Sequence, residues 1–169
     1  MASKIKVDQI QTADGSGTIA LQNQLSGMTN LSLPTGSVLQ VVTDVHQSGS
    51  HISTTSTSFI DSELAATITP IATSSKILIM VSMGSQAPAG TYGKFQLLRG
   101  STVLAGDGWA GASGGTDLWI SHTQNWIDSP STTSATTYKV KVKSNNSSYT
   151  YYYHHSDRVS TITLMEIAG

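Results

Sequence analysis

The chain has 169 residues, a formal net charge of -1 and no cysteine, which excludes disulfides and thiolate metal sites. Charged residues make up only 11% of the sequence, so no basic face broad enough to follow a nucleic-acid backbone is expected. Serine and threonine together account for 48 residues, and β-branched side chains dominate the apolar set, a composition that favours strands and turns.

The first 36 residues are predicted to form an N-terminal attachment or trimerisation segment followed by a linker. Their apolar side chains fall in two short, strand-like groups, Ile5, Val7 and Ile10, then Ile19 and Leu21. Two strands of this size have too little apolar surface to be stable alone. We therefore expect the five side chains to pack against other copies of the chain, or to add strands to another protein. An unstructured terminus is the alternative.

Residues 37–169 are predicted to form one all-β head domain, an antiparallel β-sandwich. Many short strands separated by turn residues are typical of an all-β sandwich or barrel, and we predict the sandwich. The predicted strands are Val38–Val45, Ser58–Asp61, Ala65–Thr69, Lys76–Ser82, Lys94–Arg99, Thr102–Ala105, Asp117–Ile127, Thr137–Lys143, Tyr149–His154 and Thr161–Ile167.

Two tight turns are predicted within the head. Arg99-Gly100-Ser101 joins two apolar strands. In Thr137–Lys143, aromatic and aliphatic residues alternate with lysines, which predicts a strand with one face in water. Because Ser144-Asn145-Asn146-Ser147 follows, a hairpin with Tyr149–His154 is expected.

Two strands, Lys76–Ser82 and Thr161–Ile167, are apolar on both faces. One face of a sandwich strand fills the core, so the second apolar face needs another neighbour. We predict a subunit interface at Leu78, Met80, Met165 and Ile167. The alternative is cover by the chain's own loops.

No residue pattern indicates an enzyme, a cofactor site or a membrane span, and the start lacks a signal-peptide core. The histidines, His46, His51, His122, His154 and His155, are predicted to be hydrogen-bonded surface residues. A metal ion shared on a trimer axis is the weaker alternative. The pair Asp61 and Glu63 is compatible with a small polysaccharide hydrolase only if the carboxylates face a cleft. A polar loop is the simpler explanation.

The aromatic residues suggest where a ligand would bind. Trp109 is predicted to lie in a glycine-rich loop and, with Tyr92, is our candidate contact for a host receptor or glycan. Trp119 and Trp126 are predicted to pack in the core or an interface, with one of them facing outward because their parities differ. Tyr149, Tyr151 and Tyr153 share a strand face and are predicted to lie at an edge or interface.

The chain resembles small fibre and surface proteins of bacteriophages, especially marine and cyanobacterial phages, over nearly its whole length. The matching stretches are Met1–Ile10, Asp14–Leu21, Leu33–Val41, Ile71–Lys76, Leu97–Ser101 and Thr161–Ala168. The resemblance implies a virion structural protein with a jelly-roll-like head, similar to trimeric knobs at fibre tips. It implies synthesis in the host cytoplasm, a place on the virion surface, and docking to a capsid, portal, adaptor or tail protein. Partners of this kind involve neither nucleic acid nor membrane insertion.

Overall fold

The computed structural model describes residues 33–47, 51–111, 118–154 and 158–169, with the backbone alone described for 107–111 and 118. These ranges contain ten strands and no helix. The strands are β1 (Val38–His46), β2 (Ile52–Thr54), β3 (Ile60–Ile68), β4 (Lys76–Ala87), β5 (Tyr92–Arg99), β6 (Thr102–Gly111), β7 (Leu118–Asp128), β8 (Thr136–Ser144), β9 (Tyr151–Tyr153) and β10 (Ser160–Ile167). The proposed attachment residues Ile5, Val7, Ile10, Ile19 and Leu21 lie outside these ranges, and their role stays a prediction, as does the domain boundary.

The strands form two antiparallel sheets that pack face to face. The first sheet has the order β1-β10-β4-β7, with β9 and β2 added along the far part of β4, and the second has the order β3-β8-β5-β6. Apart from the short β2 and β9, the strands pair from the outside of the sequence inward: β1 with β10, β3 with β8, β4 with β7, and β5 with β6. One long antiparallel hairpin wrapped into two sheets gives this order, which is that of a jelly roll. The predicted all-β sandwich is therefore confirmed.

The core lies between the sheets and is filled by alternate residues of each strand. In β4, Ile77 and Ile79 are fully buried, while the intervening side chains are only partly covered. In β8, Tyr138, Val140 and Val142 are buried and the lysines between them are not. The period of two read from the sequence is thus the period of the core.

Tyr151 and Tyr153 belong to this core, so their predicted edge or interface position is wrong. They are 2% and 3% exposed, whereas Tyr149 is 44% exposed and precedes β9. The absence of a side chain at Gly93, across the sandwich, makes room for the ring of Tyr151; a Cβ there would overlap the ring. The short strand β9 faces the second sheet, which is why its odd-numbered residues are buried.

Two predicted strands, Ser58–Asp61 and Ala65–Thr69, are parts of the single strand β3. A bulge interrupts its register with β8 between Asp61 and Ala65, and Glu63 within it has a φ of 67°. Such a bulge leaves residues unpaired without ending a strand. The short strand β2 was not predicted.

The predicted hairpin of β8 with β9 is wrong, although the turn between them exists. Tyr149 donates its backbone N–H to the carbonyl of Asn146 at 3.2 Å. However, β8 pairs with β3 and β5, and β9 pairs with β2 and β4, so the turn crosses from one sheet to the other. Each arm buries an apolar face in the common core. The Arg99-Gly100-Ser101 turn does join a hairpin, β5 with β6, and Gly100 has a φ of 56°.

Candidate functional site

A row of apolar side chains crosses the outer surface of the first sheet, one from each long strand. Val41 pairs with Met165, Met165 with Leu78, and Leu78 with Ile127. Val41 is 52% exposed and Ile127 is 63% exposed. Side chains of this size in such a continuous row are unusual on a surface facing only water.

Neighbouring positions widen this row into a patch that we call the apolar face. It consists of Val38, Val41, Leu78, Met80, Ile127, Met165 and Ile167. The four residues predicted as a subunit interface are therefore neighbours on one surface. Sequence reasoning missed the other three. A bulge between Val38 and Gln40 disturbs the alternation in β1, and Ile127 in β7 joins this face only because β7 pairs with β4.

The chain enters the jelly roll at the same end as the apolar face. Gly36 donates its N–H to the carbonyl of Ala168 at 2.8 Å, and Ala168 donates to the carbonyl of Ser37 at 2.9 Å. These bonds fix residues 36 and 37 beside Val38 and Ile167. The N-terminal segment is thus attached next to the predicted interface.

Glu166 lies in β10 between Met165 and Ile167, and its carboxylate is fully buried on the inner side of the sheet. It accepts hydrogen bonds from the side chain of Gln40 at 2.5 Å and from the backbone N–H of Ile71 at 2.7 Å. Burial by itself raises the pKa of Glu166, but the hydrogen bonds outweigh it, and the pKa lies below its usual value. The carboxylate therefore holds the loop between β3 and β4 against β1 and β10.

A second buried carboxylate, Asp128, joins the two sheets at this end. It accepts from Nη1 of Arg99 at 2.8 Å and from the hydroxyl of Tyr138 at 2.8 Å. Burial, and then the hydrogen bond to Asp128, raise the pKa of Tyr138. The hydrogen bonds of two buried carboxylates, Glu166 and Asp128, thus hold the end of the sandwich that carries the apolar face.

The histidines only partly match the prediction of surface residues. His154 is fully buried, its Nε2 lies 2.5 Å from the carbonyl oxygen of Ser62, and its ring centroid lies 4.2 Å from that of His46. Burial lowers the pKa of His154 to about 4 and also lowers the pKa of the partly buried His122. Among the described residues, no three metal-ligating side chains come together, and His155 lies outside them.

The outer face of the second sheet is polar and carries four lysines, Lys94, Lys139, Lys141 and Lys143. Asp61 Oδ1 lies 3.3 Å from Nζ of Lys139 and 3.8 Å from Nζ of Lys141. Asp61 is thus paired with lysines on an open sheet face, while the next carboxylate, Glu63, sits in the β3 bulge. The predicted polar loop is wrong, because both carboxylates lie within a strand.

The two candidate ligand contacts lie on adjacent strands of the second sheet. Tyr92 pairs with Gly111, and Lys94 pairs with Trp109. Trp109 is therefore part of β6, not of a loop as predicted, because β6 extends well beyond the predicted Ala105.

Neither Trp119 nor Trp126 packs in the core. They are 46% and 40% exposed on β7, an edge strand. Trp119 pairs with Gln86 and shares the outer face of the first sheet with Ile127, while Trp126 pairs with the buried Ile79. The prediction that the two tryptophans lie on opposite faces of the strand is confirmed. The prediction that they pack in the core is wrong.

No protein-family model and no curated protein matches the chain. Among solved structures it is similar to a chain of infectious bursal disease virus, Gx strain, at 16% identity and a TM-score of 0.41 over 77% of this chain and 32% of that one. The VP2 subviral particle of that virus matches at 14% identity and a TM-score of 0.37, over 77% and 37%. The Gt strain matches at 14% and 0.34, over 80% and 37%. The chain spans about a third of the length of these relatives, and a likeness this distant does not indicate function.

Within the described ranges, no helix has the length and apolar character needed to cross a bilayer.

Proposed function

We propose that the protein is a structural subunit of a bacteriophage virion, a homotrimeric fibre or surface-decoration protein. Its N-terminal segment docks to another virion protein, and its jelly-roll head projects outward. The apolar face of the first sheet holds the three heads together. The protein acts by assembly and catalyses no reaction.

The observation that carries this proposal is the apolar row of Val41, Met165, Leu78 and Ile127. Four strands that are distant in sequence each contribute one residue to it. An apolar outer row on a sheet whose inner face already fills the core favours a second protein surface as its cover. The bacteriophage resemblance in the sequence supports a virion as the setting and three copies as the number.

The limited size of this sheet face supports a part for the N-terminal segment in the assembly. The whole outer face of four strands of eight residues spans about 19 Å by about 27 Å, roughly 500 Å², and polar residues such as Thr43, Thr163 and Asn125 occupy part of it. A stable, specific interface buries about 800 Å² on each partner. Even the whole sheet face is smaller than this, so the proposal assigns the rest of the interface to the segment that precedes Val38.

A pair of charged substitutions tests this assignment. We expect light scattering to give a trimer for the full chain and a monomer for the double variant Val41→Lys, Ile127→Lys, because burying two uncompensated charges per subunit is costly. Val103, which is 48% exposed on the second sheet, provides the matched control, and Val103→Lys should leave the trimer intact. A double variant that remains trimeric, or a control that dissociates equally, would contradict the proposed interface.

A host-receptor or glycan-binding tip is the second candidate function. It is favoured by the register that sets Trp109 opposite Lys94, two residues from Tyr92. Aromatic residues beside charged ones are common where sugars or protein partners bind. We expect binding to a glycan array to be lost in Trp109→Ala and kept in Trp119→Ala. Equal binding by both variants would remove Trp109 from the site.

A small polysaccharide hydrolase ranks below both. Asp61 pairs with lysines on an open sheet face, and a hydrolase needs two carboxylates across a cleft. Activity on a polysaccharide panel that Asp61→Asn abolishes would revive this candidate.

A further inference from the structure

Lysines cluster on the outer face of the second sheet, although their mutual repulsion opposes the pairing of the strands that carry them. Lys139, Lys141 and Lys143 occupy alternate positions of β8, and Lys94 of β5 pairs directly with Lys143. Like charges directly opposite each other destabilise a sheet. Lysines often protect exposed sheet edges, but β8 is a central strand. We call these four residues the lysine row.

The carboxylates of β3 offset the three lysines of β8 only in part. On the adjacent β3 the carboxylates are Asp61 and Glu63, which stand against the three lysines of β8, while Lys94 has interactions of its own. Asp61 shares one oxygen between Lys139 and Lys141 and is 61% exposed. Exposed ion pairs of this kind are weak, and an incoming anion can replace the carboxylate.

A shallow groove of about 410 Å³ opens beside the lysine row. It is lined by Leu98, Gly100, Ser101, Thr137, Lys139 and Lys141. Its volume falls within the range of about 300–1,000 Å³ found for small-ligand sites. Leu98, only 5% exposed, gives it an apolar floor, and hydroxyl and ammonium groups surround that floor. This combination suits a sugar ring that carries an acidic group.

We infer that the groove and the lysine row bind an acidic polysaccharide. The ammonium groups of β8 recur about every 7 Å, so a chain lying along the strand meets them with successive carboxylate or sulfate groups. Nucleic acid fits less well, because both arginines of the chain lie elsewhere: Arg99 bonds Asp128, and Arg158 bonds Ser121. Guanidinium is the group best shaped for phosphate. The inference rests on the second candidate function and names its ligand class; it does not depend on the trimer.

The test titrates the full chain with dextran sulfate, polygalacturonate and neutral dextran by calorimetry at low and at physiological salt. We expect dextran sulfate or polygalacturonate to bind, neutral dextran not to bind, and added salt to weaken the binding. The stronger of the two anionic probes identifies sulfate or carboxylate as the recognised group. Failure of both to bind at low salt would overturn the inference.

Matched variants locate the site. The double variant Lys139→Gln, Lys141→Gln should weaken binding about tenfold, since each exposed charge contributes a few-fold. Lys76→Gln, which removes an exposed lysine from the first sheet, should leave it unchanged. An equal loss in Lys76→Gln, or equally tight binding of a single-stranded oligonucleotide, would contradict a polysaccharide site here. Light scattering on the same variants should give unchanged masses, so failure here is distinguishable from failure of the assembly proposal.

Discussion

Replacing the buried carboxylate Glu166 with glutamine tests how the loop before β4 is held in place. The Nε2 of Gln40 donates both to Glu166 at 2.5 Å and to the carbonyl of Thr69 at 2.8 Å, so an amide nitrogen at position 166 would face another donor. Leaving such a buried group unsatisfied costs about 1–3 kcal/mol. For a chain of this size each kcal/mol lowers the Tm by about 2–4 °C, so we expect the Tm at neutral pH to fall by about 2–12 °C.

The pH dependence gives a second, independent readout of Glu166. Its folded pKa lies below the ordinary value of 4.5, so its contribution is complete above that pH and is lost as the pH falls through the lower, folded value. The difference in free energy of unfolding between wild type and Glu166→Gln, measured with urea, should therefore shrink at low pH. Asp61→Asn, at an exposed ion pair, is the control and should cost under about 1 kcal/mol. A Glu166→Gln variant as mild as this control, or a difference that does not change with pH, would refute the reasoning.

Three further substitutions probe the core. Gly93→Ala should lower the free energy of unfolding by about 1–3 kcal/mol, because the new methyl group overlaps the Tyr151 ring. The control Gly106→Ala should be nearly neutral, because its methyl group meets nothing closer than 3.6 Å. Equal effects of the two substitutions would refute the contact between Gly93 and Tyr151. Since the folded pKa of His154 is lowered from 6.5 to about 4, wild-type stability should fall as the pH drops between those values; urea unfolding of His154→Asn should lack most of that slope, and an unchanged slope would assign it to other groups. Tyr138→Phe removes one donor to a buried aspartate and should cost about 1 kcal/mol in thermal unfolding, whereas a neutral result would remove that hydrogen bond from the account.

The strands could be predicted from the sequence because alternation is local. In β4 and β8, residues two apart share a face, and that rule needs no knowledge of neighbouring strands. Strand pairing is not local. The Ser144–Ser147 turn has hairpin composition, yet its two arms enter different sheets, and nothing in the turn itself specifies this. The β3 bulge at Glu63 likewise depends on the register with β8.

The same distinction explains which parts of the candidate site were found. Leu78, Met80, Met165 and Ile167 were identified because parity along single strands places them on one face. Ile127 was missed because it joins them only through the pairing of β7 with β4.

Glu166 stands in a strand predicted to be apolar on both faces. Its hydrogen-bond partners are 126 and 95 positions away in the chain. The buried acceptor could therefore not be predicted before the jelly roll was known.

The most direct test of the assembly account is the solution mass of the full chain, measured by light scattering beside a chain that begins at Ser37. Every buried residue of the core cluster lies between Leu64 and Leu164, so the shortened chain keeps the core. We expect three copies of the 17.8 kDa chain, about 53 kDa, for the full protein, and a weaker, concentration-dependent trimer without the N-terminal segment. A monomer of 17.8 kDa for both chains at all concentrations would contradict the homotrimer, and the apolar face would then need a different virion protein as its cover.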